Sequence, residues 1–350
     1  MVSSVPTWLA SLLRPSEVLG CEDASMRAER EYEMPGWCRN LIEAGGLRSG
    51  EEVLVFVDEP LVEQGSQLAT AVKEAGGRPT FELWAGDRPM TRAPQPILDA
   101  AERVTLSFFL SEAPLPAEAR ARFSVGEKLR GHGGRAIYMG FVTPELLEGE
   151  LSQPAADLEE PARRLLADLE GSKRIRIRGR AGTDLTLDIE GRSWLTDALG
   201  LEDRGFANYP GGEVFVAPLR HGADGVLVAD LTVPYTVDGL VDEPVTLRFE
   251  AGRVVKISGG RAAQLLRKLV SDAGEGADVI AELGIGLNPT VKPRGHVMLD
   301  EKAANTAHVA IGKNTGAYGG DNDAAIHVDC IFSRPEVEAD GRRIDLPSTP

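Results

Sequence analysis

"EEVLVFVDEPLVEQGSQLATAVKEAGGRP", residues 51–79, opens with a short apolar run rich in valine, continues with helical spacing of its apolar positions, and ends in Gly76-Gly77. That order predicts a strand, a helix and a stop. "TFELWAG" (80–86), "AERVTLSFFLS" (101–111) and "RAIYMGF" (135–141) follow as further strand candidates, with another helical stretch before the last. Strands and helices in alternation predict a parallel α/β sheet covered on both faces. Residues from about 40 to 168 therefore read as a Rossmann-like, three-layer domain. No GxGxxG follows the first strand, so the expected fold does not bring a dinucleotide with it.

From "KRIRIRGRAGTDLTLDIEGR" (173–192) the pattern changes to short alternating strands separated by Gly- and Asp-rich turns. "GVLVADLTVPYTVDG" (225–239), "PVTLRFEAGRVVKISGG" (244–260) and "HVAIGKNTGAYGG" (308–320) continue it, and one helix is expected over 260–284. This predicts a β-rich α+β C-terminal domain. The charged helix "DLEEPARRLLADLEGSK" (157–173) leads into it, and the division is set at 1–168 and 169–350.

A chain of 350 residues with 42% apolar and 26% charged residues has the composition of a folded globular protein. Its 38 basic against 54 acidic residues, net −16, would repel a phosphate backbone. The densest basic patch, "GSKRIRIRGR" (171–180), alternates with isoleucine and reads as an exposed strand face. No nucleic-acid partner is expected. The N-terminal "MVSSVPTWLASLLRPSEVLG" lacks a basic region ahead of its apolar residues, and no stretch reaches the roughly 18 apolar residues of a membrane helix. No membrane association is expected. Cys21, Cys38 and Cys330 are odd in number and without CxxC spacing, which fits a reducing cytoplasm.

Of five histidines, His296, His308 and His327 fall within 32 residues. In "AAIHVDCIF" (324–332) His327 and Asp329 share one face of a strand, as a hydrogen-bonded pair or as two metal ligands. "NYPGGEVFVAP" (208–218), "AELGIGLNP" (281–289) and "LDEKAANTAHVAIG" (299–312) each set Glu213, Glu282 or His308 in apolar or Gly-rich surroundings. A carboxylate there is costly without a cation or donors to compensate it. Each residue alone is equally readable as a turn carboxylate or a satisfied core histidine. Asp321 and Asp323 read as turn residues, since no EF-hand spacing follows, and His132 and His221 as exposed turn residues. The tryptophans show no repeating spacing and read as packing residues.

Together these motifs, in order, resemble the aminopeptidase T family of thermophilic-type metallopeptidases, from about residue 35 to the end. The resemblance implies an α/β N-terminal domain, a catalytic β-rich domain and a homodimer. It also implies two divalent ions (zinc, cobalt or manganese) held by Glu213, Glu282, His308, His327 and Asp329. The implied activity is removal of N-terminal residues from small peptides, or hydrolysis of related amides. Glu213 and Glu282 would take catalytic roles, with Lys302 and Tyr318 as candidates to stabilise an oxyanion, although a surface lysine is an equal reading of Lys302. Family members carry a tyrosine near the position of Thr315; here Tyr318 follows instead. Chain length and the short segment between His308 and His327 look more like the related 2,5-dihydroxypyridine 5,6-dioxygenases, which use one Fe(II) held by two histidines and an aspartate. In those a histidine stands at the position of Glu282 and the glutamate matching Glu213 is absent, so ligand identity sides with the peptidases.

Overall fold

A computed structural model describes residues 32–199, 201 and 205–347. Cys21, Trp8 and the N-terminal segment judged against a signal peptide lie outside the described residues. In the first half, helix α1 (Gly36–Gly45) precedes β1 (Glu52–Asp58), α2 (Val62–Glu74), β2 (Arg78–Trp84), α3 (Gln95–Ala101), β3 (Leu106–Ser111), α4 (Ala119–Arg130) and β4 (Arg135–Gly140). Helices α5 (Pro144–Glu148) and α6 (Glu159–Leu169) then lead to β5 (Arg174–Gly179), β6 (Asp184–Asp188), β7 (Leu195–Thr196) and β8 (Phe206–Asn208). The remainder runs β9 (Glu213–Val216), β10 (Ala223–Ala229), β11 (Val245–Glu250), β12 (Arg253–Ser258), α7 (Arg261–Ala273) and β13 (Ile280–Gly286). It ends with α8 (Val297–Asp300), β14 (Thr306–Gly312), β15 (His327–Ser333), β16 (Pro335–Ala339) and β17 (Arg342–Ile344).

Among the described residues the strands form three sheets. The first, in the order β2-β1-β3-β4-β8, is parallel throughout. Strands β1 and β3 are buried almost end to end, as strands covered on both faces must be. The strand expected over 101–111 starts only at Leu106, because α3 runs to Ala101. Its last strand, β8, comes from beyond residue 169 and pairs with β4. A second sheet has seven strands in the order β12-β11-β10-β6-β5-β16-β17, and the third has five, β15-β14-β13-β9-β7. Both are antiparallel, and their apolar faces contribute to one buried cluster that includes Ile175, Leu187, Leu247, Leu283, Val309 and Val328.

The basic stretch on β5 is the exposed face its alternation predicts. Ile175 and Ile177 are buried, while Arg174 and Arg176 pair with Asp188 and Asp184 at 3.0 and 2.7 Å on the neighbouring strand. The helix expected over 260–284 is corrected. Helix α7 stops at Ala273, since Gly274 and Gly276 take positive φ of 75° and 78°, and the chain re-enters as β13. Glu282 therefore stands inside a central strand rather than before a turn.

A buried ion pair ties the amino edge of the parallel sheet to α1. The Arg135 guanidinium grips both oxygens of Glu51 at 2.7 and 2.8 Å and donates to the Gly45 and Gly46 carbonyls. Burial pushes the Glu51 carboxyl up, but its bonds to Arg135 and Thr105 outweigh this and hold it below the ordinary carboxylate range. Its stabilisation is present above the unfolded pKa of about 4.3 and is lost as pH falls through the lower folded value. Glu51→Gln, which leaves a buried guanidinium uncompensated, is expected to cost about 3–5 kcal/mol at pH 7. In denaturant titrations the gap from wild type should shrink below pH 4 or so; a constant gap would show that the ion pair does not set it.

Candidate metal centre

The five-stranded antiparallel sheet has one face against the core and one turned to a cavity. Side chains two apart on a strand share a face, and register aligns them across strands. Ala310 pairs with both Glu282 and Asp329, so these three form one row. The next row is Phe215, Gly284, His308 and Ile331. Glu213 opposite Gly286 and His327 opposite Gly312 complete the pattern. Glu213, Glu282, His308, His327 and Asp329 thus all rise from the same face, and the alternate residues Val214, Leu283, Val309 and Val328 go into the core.

Within this face the side chains converge as two groups. Glu213, Glu282 and His308 bring ligand atoms within 4.8 Å of one another, and so do Glu282, His327 and Asp329. Glu282 belongs to both. Its Oε1 lies 3.4 Å from His308 Nε2 and its Oε2 lies 3.4 Å from His327 Nε2. His308 Nε2 is also 3.3 Å from Glu213 Oε2, and His327 Nε2 is 3.2 Å from Asp329 Oδ1. The Lys313 carbonyl, 2.7 Å from His327 Nδ1, favours the tautomer with its proton there and leaves the Nε2 lone pair, on the side of the carboxylates, for a cation or a second proton.

Gly284 makes room for His308. A Cβ at Gly284 would stand 2.1 Å from His308 Cε1, so the imidazole occupies the space a side chain would fill. Behind Glu213, the fully buried Lys302 bonds its Oε1 and lies 2.9 Å from Asp197 Oδ2 and 3.2 Å from Glu301 Oε1. Burial works against that ammonium, but the three carboxylates overcome it and raise its pKa well above the ordinary value. Lys302 is therefore not a surface lysine. It holds a metal-ligand candidate in place, while Asp197 Oδ1 accepts the Gly212 and Glu213 N–H groups at 2.8 and 2.9 Å.

The charge on this face needs cations. Burial first, then the charge of Asp197, pushes Glu213 up to about 8 in spite of Lys302, and burial pushes Glu301 up to about 7. Burial opposes protonation of His308 and His327, yet the carboxylates around them raise these to about 10 and about 9. Without a metal, protons and imidazolium charge do the compensating. Among the described residues, Glu213 Oε2 and His308 Nδ1 are buried without a hydrogen-bond partner, and two imidazoles with three carboxylates are an N/O donor set suited to divalent ions. The residues present fit the group.

Tyr318 stacks on the His327 ring with centroids 5.0 Å apart and meets Phe215 edge-on at 5.8 Å. Thr315 instead accepts a hydrogen bond from Lys313 Nζ at 2.6 Å. His296 is not brought to the cluster; its Nε2 meets the Phe141 carbonyl. Asp321 and Asp323 are exposed and paired with Arg192 and Lys313 at 3.3 and 2.6 Å. His132 and His221 are exposed as expected. Trp37 and Trp84 are buried.

Above the face that carries the ligand candidates lies a cavity of about 100 Å³ whose other wall comes from the first half of the chain, including Arg122, Phe123, Tyr138 and Phe141. A larger cavity of about 540 Å³ is lined by Asp197 and Leu199 among others but by none of the five ligand candidates. Sequence reasoning missed Glu301, Asp197, Gly284 and Arg122. For Gly284 a signal existed, since "ELGIG" alternates glycine with Leu283 and Ile285, the mark of a strand whose one face must stay bare.

Comparison with known proteins agrees in the second half of the chain. The family model described as thermophilic metalloprotease (M29) matches residues 152–346. Aminopeptidase AmpS of Bacillus subtilis (strain 168) is 30% identical over 191 residues, 47% of this chain and 44% of that protein. Aminopeptidase T of Thermus aquaticus is 32% identical over 184 residues, 46% of this chain and 43% of that protein. The chain thus matches less than half the length of these curated relatives. In fold it resembles 2,5-dihydroxypyridine dioxygenase from Pseudomonas putida KT2440, with a TM-score of 0.70 at 18% identity over 90% of this chain and 95% of that one. It also resembles AmpT from Thermus thermophilus, with a TM-score of 0.62 at 21% identity over 87% and 97%.

Proposed function

The chain belongs to the thermophilic metalloprotease (M29) family, and on that premise we propose that it is an aminopeptidase-type hydrolase acting on small peptides or related amides through two divalent ions that share Glu282. The observation that carries this reading is the divided aim of one carboxylate, Oε1 toward His308 and Oε2 toward His327. Glu213 and His308 would complete one ligand group, and His327 and Asp329 the other. Zinc, cobalt or manganese suits these donors.

When bound, such ions supply Lewis acidity and bring a coordinated water's pKa toward neutrality. The chain's own residues do the rest. Lys302 fixes Glu213 and keeps its oxygens from turning. Glu301, buried on the cavity wall and in neither ligand group, is paired with Lys302 through Oε1 at 3.2 Å and would accept a proton from the nucleophile and return it to the leaving amine. Burial, then the surrounding carboxylates, hold the Tyr318 phenol protonated, so it offers an O–H donor to a developing oxyanion. The α/β part up to about residue 168 closes the cavity from above. The buried thiols of Cys38 and Cys330 support a reducing, cytoplasmic setting, and among the described residues no helix is long and apolar enough to cross a membrane. Homodimeric assembly, implied by the family resemblance, belongs to the same reading.

Release of free amino acids from dipeptides and aminoacyl amides tests the proposal. Activity should vanish on chelation and return with added zinc, cobalt or manganese. Oxygen uptake with hydroxypyridines, and no amide hydrolysis with any of these metals, would replace it by the dioxygenase chemistry of the fold neighbour.

A further inference from the structure

The cavity above the metal-ligand face contains one cation whose role the hydrolytic reading leaves open. Arg122, on α4, has a side chain only 8% exposed. Its Nη1 is buried and has no hydrogen-bond partner among the described residues. The nearest anion to that nitrogen is Glu118 Oε2 at 3.9 Å, too far for a hydrogen bond. Glu118 is already occupied: Oε1 accepts from Arg88 Nε at 2.8 Å and from the Met90 N–H at 2.9 Å, and Oε2 takes Arg88 Nη2 at 2.5 Å. Asp58, 3.8 Å from Arg88 Nη1, is bonded to Ser111 at 2.6 Å. These acids balance the local charge but leave a guanidinium N–H unspent.

The location is where an α/β sheet presents its ligand-binding edge. Asp58 and Ser111 end the adjacent strands β1 and β3, and Phe141 and Asn208 of the cavity wall stand at the same carboxyl ends of β4 and β8. Arg122 extends from this point into the same cavity that Glu213, Glu282, His308, His327 and Asp329 line. Its guanidinium lies over the Tyr138 ring, 5.8 Å from the centroid, a contact that leaves its N–H groups available. Tyr235 and Phe141, whose rings meet at 5.4 Å, both hold positive φ, 63° and 59°. Of the six non-glycine residues with such φ among the described residues, these two share one cavity wall, and such backbone is costly to keep.

A buried guanidinium with a free N–H is costly unless a ligand fills it, and its planar fork matches a carboxylate. The cavity, about 100 Å³, is far below the roughly 300 Å³ of an ordinary small-molecule pocket. So small a space suits only the shortest peptides. We propose that Arg122 is the specificity-determining residue that takes a carboxylate of the substrate, so that the preferred substrates are dipeptides with a free C-terminus. The identity of the ligand as a peptide rests on the hydrolase reading; the demand for a carboxylate does not.

Calorimetric binding to the metal-loaded protein tests this without turnover, using the analogue of Ala-Ala in which CH2–NH replaces the peptide CO–NH. The free acid should bind roughly 10- to 100-fold tighter than its carboxamide. Arg122→Gln should abolish the preference and Arg122→Lys should retain part of it. The wild-type comparison needs no variant to fold. An analogue of Ala-Asp amidated at its C-terminus separates the sources: if it binds as the Ala-Ala acid does, the carboxylate proposal stands with a side chain as its origin. Equal binding of acid and carboxamide, a preference that survives Arg122→Gln, or no binding of either would overturn the proposal. Intact preference with no dipeptide hydrolysis would instead sink the hydrolase reading alone. Hydrolysis of dipeptide acids and amides at equal kcat/KM, with no binding preference, would sink the Arg122 proposal alone.

Discussion

Glu282→Gln is expected to empty both proposed metal positions together and to lower the proposed hydrolysis by about a thousandfold or more, since metal activation is worth several kcal/mol and each ~1.4 kcal/mol is tenfold in rate. The reason is positional. Each of its oxygens faces a different imidazole at 3.4 Å, so neutralising this one carboxylate weakens two ligand groups. Glu213→Gln touches only the group containing His308 and is expected to reduce metal content by one equivalent, with activity falling alongside. Elemental analysis of the purified variants beside wild type checks both. Equal metal loss in the two variants would deny Glu282 its shared position.

The second large effect is expected from a residue with no chemistry of its own. Gly284→Ala sets a methyl carbon where the His308 ring lies, 2.1 Å from Cε1, and strand backbone cannot yield that far. The imidazole must swing away from Glu213 and Glu282. Misplacement by about 1 Å costs on the order of a hundredfold in rate, so activity and metal affinity should fall together. The rest of the fold should remain, because Leu283 and Ile285 still fill the core on the opposite face. Steady-state kinetics, metal titration and circular dichroism together read this out. Wild-type metal affinity in a folded Gly284→Ala protein would show that the glycine does not set the position of His308.

Much of this was legible in the sequence for physical reasons. The period-2 spacing of "HVD" put His327 and Asp329 on one strand face, and the strand-helix-stop of residues 51–79 opened the parallel sheet. The strand at Glu282 was not legible as such, because the apolar spacing of α7 runs on past Gly274 and Gly276 into "ADVIAELG" and reads as one long helix. Position on the sheet was equally hidden. That Glu282 rather than Glu213 reaches both histidines depends on strand order, which sets β13 beside β14 and β9 one strand farther away, and on register, which sets the Glu282 row between those of His308 and His327; both are decided by packing rather than by local pattern. Lys302 illustrates the same limit, since "DEK" looks solvated until Asp197, Glu213 and Glu301 are folded around its ammonium. Arg122 comes from the other half of the chain, and nothing in its neighbourhood in sequence announces a cavity.

The account stands on one carboxylate serving two metals. Elemental analysis of the wild-type protein purified without chelators tests that most directly. It should contain about two equivalents of divalent metal per chain, falling to a metal-poor state on Glu282→Gln. A single equivalent of iron, retained by protein that hydrolyses no amide, would contradict it.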